Sequence, residues 1–228
     1  MAESLEQAWE LNQKGRNNVI IGGNLWLKMG NRNILNAIDL STLGLDRIEE
    51  DESGFRIGCM ATLRDIEMHE GLNKEFQNLF KEAVLHIVGV QFRNCATVGG
   101  SIFPKLGFSD VLTAFLACDT QVILYKKGEV SLREFIYMPL DNDILTHIYV
   151  KKDGRKTAYE SFRMTETDFP TLTCAMAMVD GRFETVLGAR PKHAEVVIDE
   201  ELADSLSKED VASYAKRVID KLQYGSNI

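Results

Sequence analysis

Two glycine pairs constrain this chain more than any other feature. The first closes a short apolar run, Val19-Ile20-Ile21-Gly22-Gly23-Asn24. The second stands in Arg93-Asn94-Cys95-Ala96-Thr97-Val98-Gly99-Gly100-Ser101. A strand that ends in Gly-Gly and a small polar residue presents backbone N–H groups with no Cβ in front of them, so a phosphate can approach. Two such turns could clasp a diphosphate from both sides, which suits a dinucleotide. Taken singly, each pair is also an ordinary turn. Neither fits the G-x-G-x-x-G or G-x-x-x-x-G-K-[ST] fingerprint.

The remaining pattern is that of a soluble globular body. Apolar residues make up 45% of the 228 and charged residues 26%, enough for a sizeable core. One body of two or three lobes is expected for this length. The formal net charge of −8 comes without a basic stripe, which argues against nucleic acid and against a membrane surface. No apolar run reaches the roughly 18 residues of a membrane span, so no membrane insertion is expected. The N-terminal Met1-Ala2-Glu3-Ser4-Leu5-Glu6 lacks a signal-peptide core, which points to the cytoplasm. Cys59, Cys95, Cys118 and Cys174 form no C-x-x-C pair, and each is read as a buried free thiol. The four histidines show no metal spacing, so no metal site is assigned.

Local signals give an order of elements. A helix is predicted from Ser4 to Gly15, a strand over Val19–Ile21, a helix from Leu25, and a strand over Ala37–Leu40, together a small β-α-β unit. Glu49–Gly54 reads as an acidic turn before a strand over Phe55–Met60. Thr62 and Asp65 read as a capping-box variant. One helix is predicted over Phe76–Val88, and another after Asp110. Strands are expected over Gln121–Tyr125 and Ile144–Val150, and a hairpin turning at Asp180-Gly181. Ser207 is read as the cap of a last helix from Lys208 to Leu222.

In this order the residues resemble a family. Ile21-Gly22-Gly23-Asn24-Leu25 is similar to "aGGtdLl", and Ile57-Gly58-Cys59-Met60-Ala61-Thr62 to "IGA-x-tT". Arg93 to Ile102 is similar to "RN-x-ATiGGNi", Ser109-Asp110 to "sD", Asn142-Asp143-Ile144-Leu145 to "deiLt", and Leu187-Gly188-Ala189-Arg190-Pro191 to "lGg-x-a-x-rP". Together they resemble the FAD-binding (medium) subunit of the molybdenum hydroxylases, the xanthine dehydrogenase and carbon monoxide dehydrogenase group, over nearly the whole chain.

The resemblance implies an α+β fold of the PCMH (vanillyl-alcohol-oxidase-like) type. Its lobes would span residues 1–54 and 55–153 around FAD, with a C-terminal antiparallel-sheet and helix lobe over 154–228. It implies that Ile21, Gly22, Gly23, Asn24 and Leu25 offer the first diphosphate turn and that Thr97, Gly99, Gly100 and Ser101 grip from the other lobe. Asp110 would accept from a sugar hydroxyl, its alternative being a helix N-cap. Ile144 and Leu145 would lie against the flavin ring, or be strand core. No catalytic acid, base or nucleophile is implied. The subunit would take electrons from a partner carrying [2Fe–2S] clusters, next to a molybdopterin-binding large subunit, and pass them to NAD⁺ or another acceptor. A flavin-free scaffold or assembly relative is the alternative. A stand-alone flavin reductase would need acid/base residues over the ring, and no candidate set is evident.

Four departures from the family pattern stand out. The first glycine turn is one residue short. Phe103-Pro104-Lys105-Leu106-Gly107-Phe108 replaces the usual stretch before Asp110; Phe103 or Phe108 is expected to stack on the cofactor or fill core, and Lys105 to neutralise phosphate or lie exposed. In Tyr159-Glu160-Ser161-Phe162-Arg163-Met164-Thr165, where family members often carry a lysine or arginine pair, only Arg163 is basic. Gly225-Ser226-Asn227-Ile228 reads as an interrupted segment, expected of a truncated chain or of a short member.

Overall fold

Ser4 starts the first helix by accepting the Gln7 N–H at 3.1 Å, the usual way of satisfying an orphan donor. In the computed structural model, which describes residues 1–190, 193–199 and 208–221, helix α1 (Leu5–Gln13) is followed by strand β1 (Asn18–Ile21), helix α2 (Leu25–Met29) and strand β2 (Asn36–Asp39). β1 and β2 pair in parallel, Asn18 opposite Asn36 and Ile21 opposite Asp39. The β-α-β unit expected from the sequence is therefore present. Its first turn passes through the left-handed region at Gly23 (φ 70°) and Asn24 (φ 59°). That reversal sends the chain from strand straight into helix.

The middle sheet is antiparallel, in the order β3-β4-β7-β5-β6. Its first strands are β3 (Ile48–Glu50) and β4 (Gly54–Gly58). Glu49 and Glu50, read as turn, are strand, because Asp51 alone makes the turn by accepting from the Ser53 and Gly54 N–H groups at 2.7 and 2.9 Å. β3 thus lies before residue 54 yet pairs in the middle sheet.

Thr62 and Asp65 form the predicted capping box at the start of α3 (Leu63–Met68), with bonds of 3.1 and 2.8 Å. The helix expected over Phe76–Val88 is interrupted: α4 (Glu70–Glu75) stops, Gln77 (φ 45°) and Asn78 (φ 65°) reverse the chain, and α5 (Leu79–Leu85) begins. Its apolar stripe, Leu79, Phe80, Ala83 and Val84, is buried. Then come α6 (Val90–Arg93), α7 (Val98–Ile102) and α8 (Asp110–Leu116), every residue of the last being buried. β5 (Thr120–Leu124) and β6 (Gly128–Ser131) form a hairpin, α9 (Leu132–Phe135) follows, and β7 (Leu145–Lys151) inserts between β4 and β5. Phe55, Ile57, Val122, Ile148 and Val150 meet Leu63, Ile66, Phe80 and Phe115 in one core.

The third sheet is β8 (Lys156–Arg163), β9 (Pro170–Val179), β10 (Arg182–Gly188) and β11 (Glu195–Asp199), ordered β11-β10-β9-β8 and antiparallel throughout. The predicted β9–β10 hairpin turns on Asp180 (φ 50°) and Gly181 (φ 72°), the two positive angles of a tight primed turn. Helix α10 (Lys208–Lys221) lays Tyr214 and Val218 on Leu187 and Val197. The predicted Ser207 cap and the segment after Lys221 lie outside the described residues. The α+β architecture expected from the sequence is the one observed.

Candidate functional site

The two glycine segments touch each other. A Cβ added to Gly23 would lie 1.8 Å from the Cys95 carbonyl oxygen, and one on Gly22 would lie 2.5 Å from Thr97 Oγ1. On Gly100 it would meet Thr97 Oγ1 at 3.0 Å and the Gly22 carbonyl oxygen at 3.3 Å. These glycines are small first of all so that two distant stretches of backbone can meet. The sequence pattern suggested instead that they clear space for a phosphate.

The segments also differ in what they offer. Among the described residues, the N–H groups of Gly23 and Asn24 donate to no acceptor. The second pair is not a turn at a strand end. α6 precedes it, and Gly99 and Gly100 form the first turn of α7, with Thr97 as its N-cap. The donors there are already engaged: Val98 to the Ala61 carbonyl at 2.8 Å, Gly99 to the Cys59 carbonyl at 2.9 Å, and Gly100 to Thr97 Oγ1 at 3.1 Å. Ser101 Oγ donates to the Thr97 carbonyl at 3.0 Å. Thr97 Oγ1 accepts in its cap, so its own proton is not committed among the described residues.

Beside this junction lies a cavity of about 280 Å³. Gly22 and Leu25 border it from the β1–α2 turn, Gly100 and Ser101 from α7, and Asp110 from α8. Arg163 of β8, Phe169 of the β8–β9 connection and Pro170 of β9 reach it from the side of the third sheet. Leu63, Phe92 and Leu106 make its apolar walls, with the segment His86–Val88 on one side. Of the predicted site residues, Ile21, Gly23, Asn24, Thr97 and Gly99 belong to the glycine segments but do not line the cavity. Ile144 and Leu145, expected against a flavin ring, do not line it either. They are 1% and 5% exposed and sit in the core, with the Ile144 carbonyl accepting the Tyr125 N–H at 2.8 Å.

Asp110 is the polar centre. The cap of α8 is Ser109, whose Oγ accepts from the Leu112 N–H at 3.1 Å, so Asp110 is the first helical residue rather than the cap. Its Oδ1 accepts from the Tyr159 hydroxyl at 2.5 Å and from Arg163 Nη2 at 2.5 Å. Oδ2 accepts from no group among the described residues. Burial pushes the Asp110 carboxyl up, against the opposing pull of Tyr159 and Arg163. Burial, then the charge of Asp110, pushes the Tyr159 phenol up as well. Arg163 Nη1 donates to the Asp168 carbonyl at 2.7 Å, while its buried Nε has no partner among the described residues. The charge balance of this cluster depends on a contact between α8 and β8, and no local pattern announces it.

Of the altered stretch, the two phenylalanines divide between the alternatives expected and Lys105 departs from both of its own. Phe108 lines the cavity and meets Phe169 edge-on, with ring centres 5.0 Å apart, whereas Phe103 packs on Phe135 at 6.0 Å. Lys105 is neither exposed nor on the cavity. It is 7% exposed, donates to the Met138 carbonyl at 2.7 Å and lies 4.0 Å over the Phe135 ring. Burial lowers its pKa. Among the cysteines, Cys59 and Cys118 are buried as expected, Cys174 is half-buried, and Cys95, against expectation, is exposed. Burial lifts the Cys59 thiol to about 12.

Residues 1–150 match the family described as the FAD binding domain in molybdopterin dehydrogenase. This chain belongs to that family. FAD is its cofactor, and the residues present fit such a group: the turn whose Gly22 and Leu25 border the cavity carries the Gly23 and Asn24 N–H groups, unengaged among the described residues, Asp110 brings a carboxylate to the cavity, and Leu63, Phe92 and Leu106 give it apolar walls. Uncharacterized protein YgfM of Escherichia coli K12 is 26% identical over 188 residues, covering 78% of this chain and 68% of that one. Carbon monoxide dehydrogenase from Hydrogenophaga pseudoflava, in a form lacking the Mo-pyranopterin moiety, is 24% identical with a TM-score of 0.81, over 96% of this chain and 84% of that one. Quinoline 2-oxidoreductase from Pseudomonas putida 86 is 17% identical with a TM-score of 0.81, over 94% and 82%. These chains share the fold expected from the sequence. No described helix is long and apolar enough to cross a membrane.

Proposed function

We propose that this chain is the FAD-binding electron-transfer subunit of a molybdenum hydroxylase complex. The observation that carries the proposal is the meeting of both glycine segments at a cavity bordered by the β1–α2 turn, by α7 and α8 and by residues of β8 and β9, within a chain of this FAD-binding family. Its partners in this reading are a molybdopterin-binding subunit, in keeping with the molybdopterin dehydrogenase family and with the molybdenum cofactor named for one structural neighbour, and a [2Fe–2S] subunit, as the sequence resemblance implies. Bound FAD supplies the exchange between one-electron and two-electron carriers, with NAD⁺ as the first acceptor to test.

The chain's own residues bind and shield. Gly23 and Asn24 donate N–H groups to diphosphate oxygens, and the Thr97 hydroxyl adds a third donor. Asp110 Oδ2 accepts from a sugar hydroxyl, while Arg163 balances its charge. Gly22, Leu25, Gly100 and Ser101 let the ligand approach closely, and Ile21 and Gly99 hold the two segments in place. Ile144 and Leu145 support the site from the core. A division into lobes near residues 54 and 153, with β3 on the near side of the first boundary yet paired into the middle sheet, and a place in the cytoplasm complete the reading.

The test is the visible absorption of the purified protein, before and after adding excess FAD and desalting. Retained flavin bands, weakened in Asp110→Asn, support the reading. A folded protein that refuses FAD overturns it and favours the flavin-free scaffold, a role in keeping with the engaged donors of α7. Anaerobic NADH then asks about the acceptor: bands that do not bleach with NADH exclude NAD⁺.

A further inference from the structure

The arginine that opens the second glycine signature points away from any phosphate. Arg93 is buried, its side chain 5% exposed, and it pairs with Glu67 on α3, 4% exposed, through Nε at 2.7 Å and Nη2 at 3.2 Å. Nη1 donates to two backbone carbonyls, Leu85 at 3.1 Å and Ile87 at 3.3 Å. The Arg93 N–H to the Gly89 carbonyl at 3.0 Å is the ordinary first bond of α6. The side chain therefore ties down two alternate carbonyls, Leu85 and Ile87, where α5 runs into the connection to α6.

That connection is the cavity wall formed by His86, Ile87 and Val88. Val88 has φ 51°, a left-handed backbone that a β-branched residue resists, and its side chain is half exposed. Such a conformation persists only where its surroundings hold it. A lysine could not replace the clamp, because a single ammonium cannot span a carboxylate and two carbonyls as a planar fork does.

We propose that Arg93, anchored by Glu67, is a positioning residue that fixes this wall and so sets how tightly the groove holds FAD; the inference rests on the FAD-binding reading. Arg64 supplies the internal control. It pairs with the same Glu67 at 2.8 Å but makes no bond to the wall.

FAD would be titrated into the full chain by fluorescence quenching, alongside thermal melting without FAD. Arg93→Lys is expected to weaken FAD roughly tenfold, as the loss of charge-assisted bonds implies. Arg64→Gln should change it by less than about twofold. Amide hydrogen exchange over residues 86–89 in the FAD-free protein should quicken in Arg93→Lys and stay unchanged in Arg64→Gln. If Arg93→Lys does not fold, Glu67→Gln is read in its place. Equal losses in the lysine variant and the Arg64 control, or a folded lysine variant that binds as wild type does, overturn the clamp. A wild-type protein that binds no FAD overturns the cofactor reading instead. The exchange comparison then decides the clamp by itself: quickening confined to Arg93→Lys supports it, and unchanged exchange overturns it.

Discussion

The first and second glycine segments carry nearly the same letters and do different work. Gly22-Gly23-Asn24 is a true turn with left-handed backbone and two unengaged N–H groups. Thr97-Val98-Gly99-Gly100 is a capped helix start whose donors are already taken inside the chain. The first is built to present donors, and the second chiefly to let backbones pack. Glycine alone does not distinguish these roles. In both segments the missing Cβ would meet another part of the protein; what separates them is whether the N–H groups are already engaged within the chain.

The sharpest way to break the comparison is Gly23→Ala. Its positive φ and the 1.8 Å approach to the Cys95 carbonyl combine strain with a backbone clash. A loss of about 3 kcal/mol or more is expected, together with the flavin. A variant that melts like wild type and keeps its yellow colour would remove the close contact as the reason for this glycine. Gly99→Ala should cost about 1–3 kcal/mol through overpacking, since its Cβ would lie 2.7 Å from the Cys59 Cβ and carbonyl oxygen. The fraction that folds should bind FAD with unchanged affinity, because the Gly99 N–H is already engaged by the Cys59 carbonyl and the residue does not line the cavity. A large affinity loss in soluble Gly99→Ala would return this segment to the role of phosphate donor. Thr97→Val removes the cap from the Gly100 N–H and should cost about 1 kcal/mol in urea unfolding.

The smallest effect is a pH dependence beside the same segment. Burial works to raise the Glu67 carboxyl, but the Arg93 and Arg64 bonds outweigh it and leave its pKa below the ordinary value. A carboxylate lowered by folding contributes stability above its unfolded pKa and loses it as the pH falls through the folded value. Melting curves on the acid side should therefore flatten in Glu67→Gln relative to wild type. Parallel curves would mean that the pair contributes nothing on titration.

Much of the fold was legible because it depends on neighbours in sequence. The Ser4 cap, the Thr62/Asp65 box and the Asp180-Gly181 hairpin each follow from a side chain or backbone angle acting within a few residues. The break at Gln77 and Asn78 was hidden, since the apolar stripe runs on through Phe76 and Leu79 as though the helix were continuous. Glu49 and Glu50 looked like turn by their charge, yet pairing with β4 made them strand. Lys105 defied its usual exposure because the Phe135 ring and the Met138 carbonyl offer a buried ammonium both a face and an acceptor.

The sequence by itself determined the family, the order of elements and the places where two glycine segments would fall. Those are properties of local pattern and motif spacing, which survive without knowledge of contacts. Only the tertiary structure decided which N–H groups remain free, that Asp110 shares its charge with Tyr159 and Arg163, and that Arg93 braces a wall rather than meeting a phosphate. Each of those outcomes depends on groups far apart in the chain meeting at hydrogen-bond distance in a buried place. There an unpaired polar group is costly, so the partners are fixed by packing rather than by sequence position.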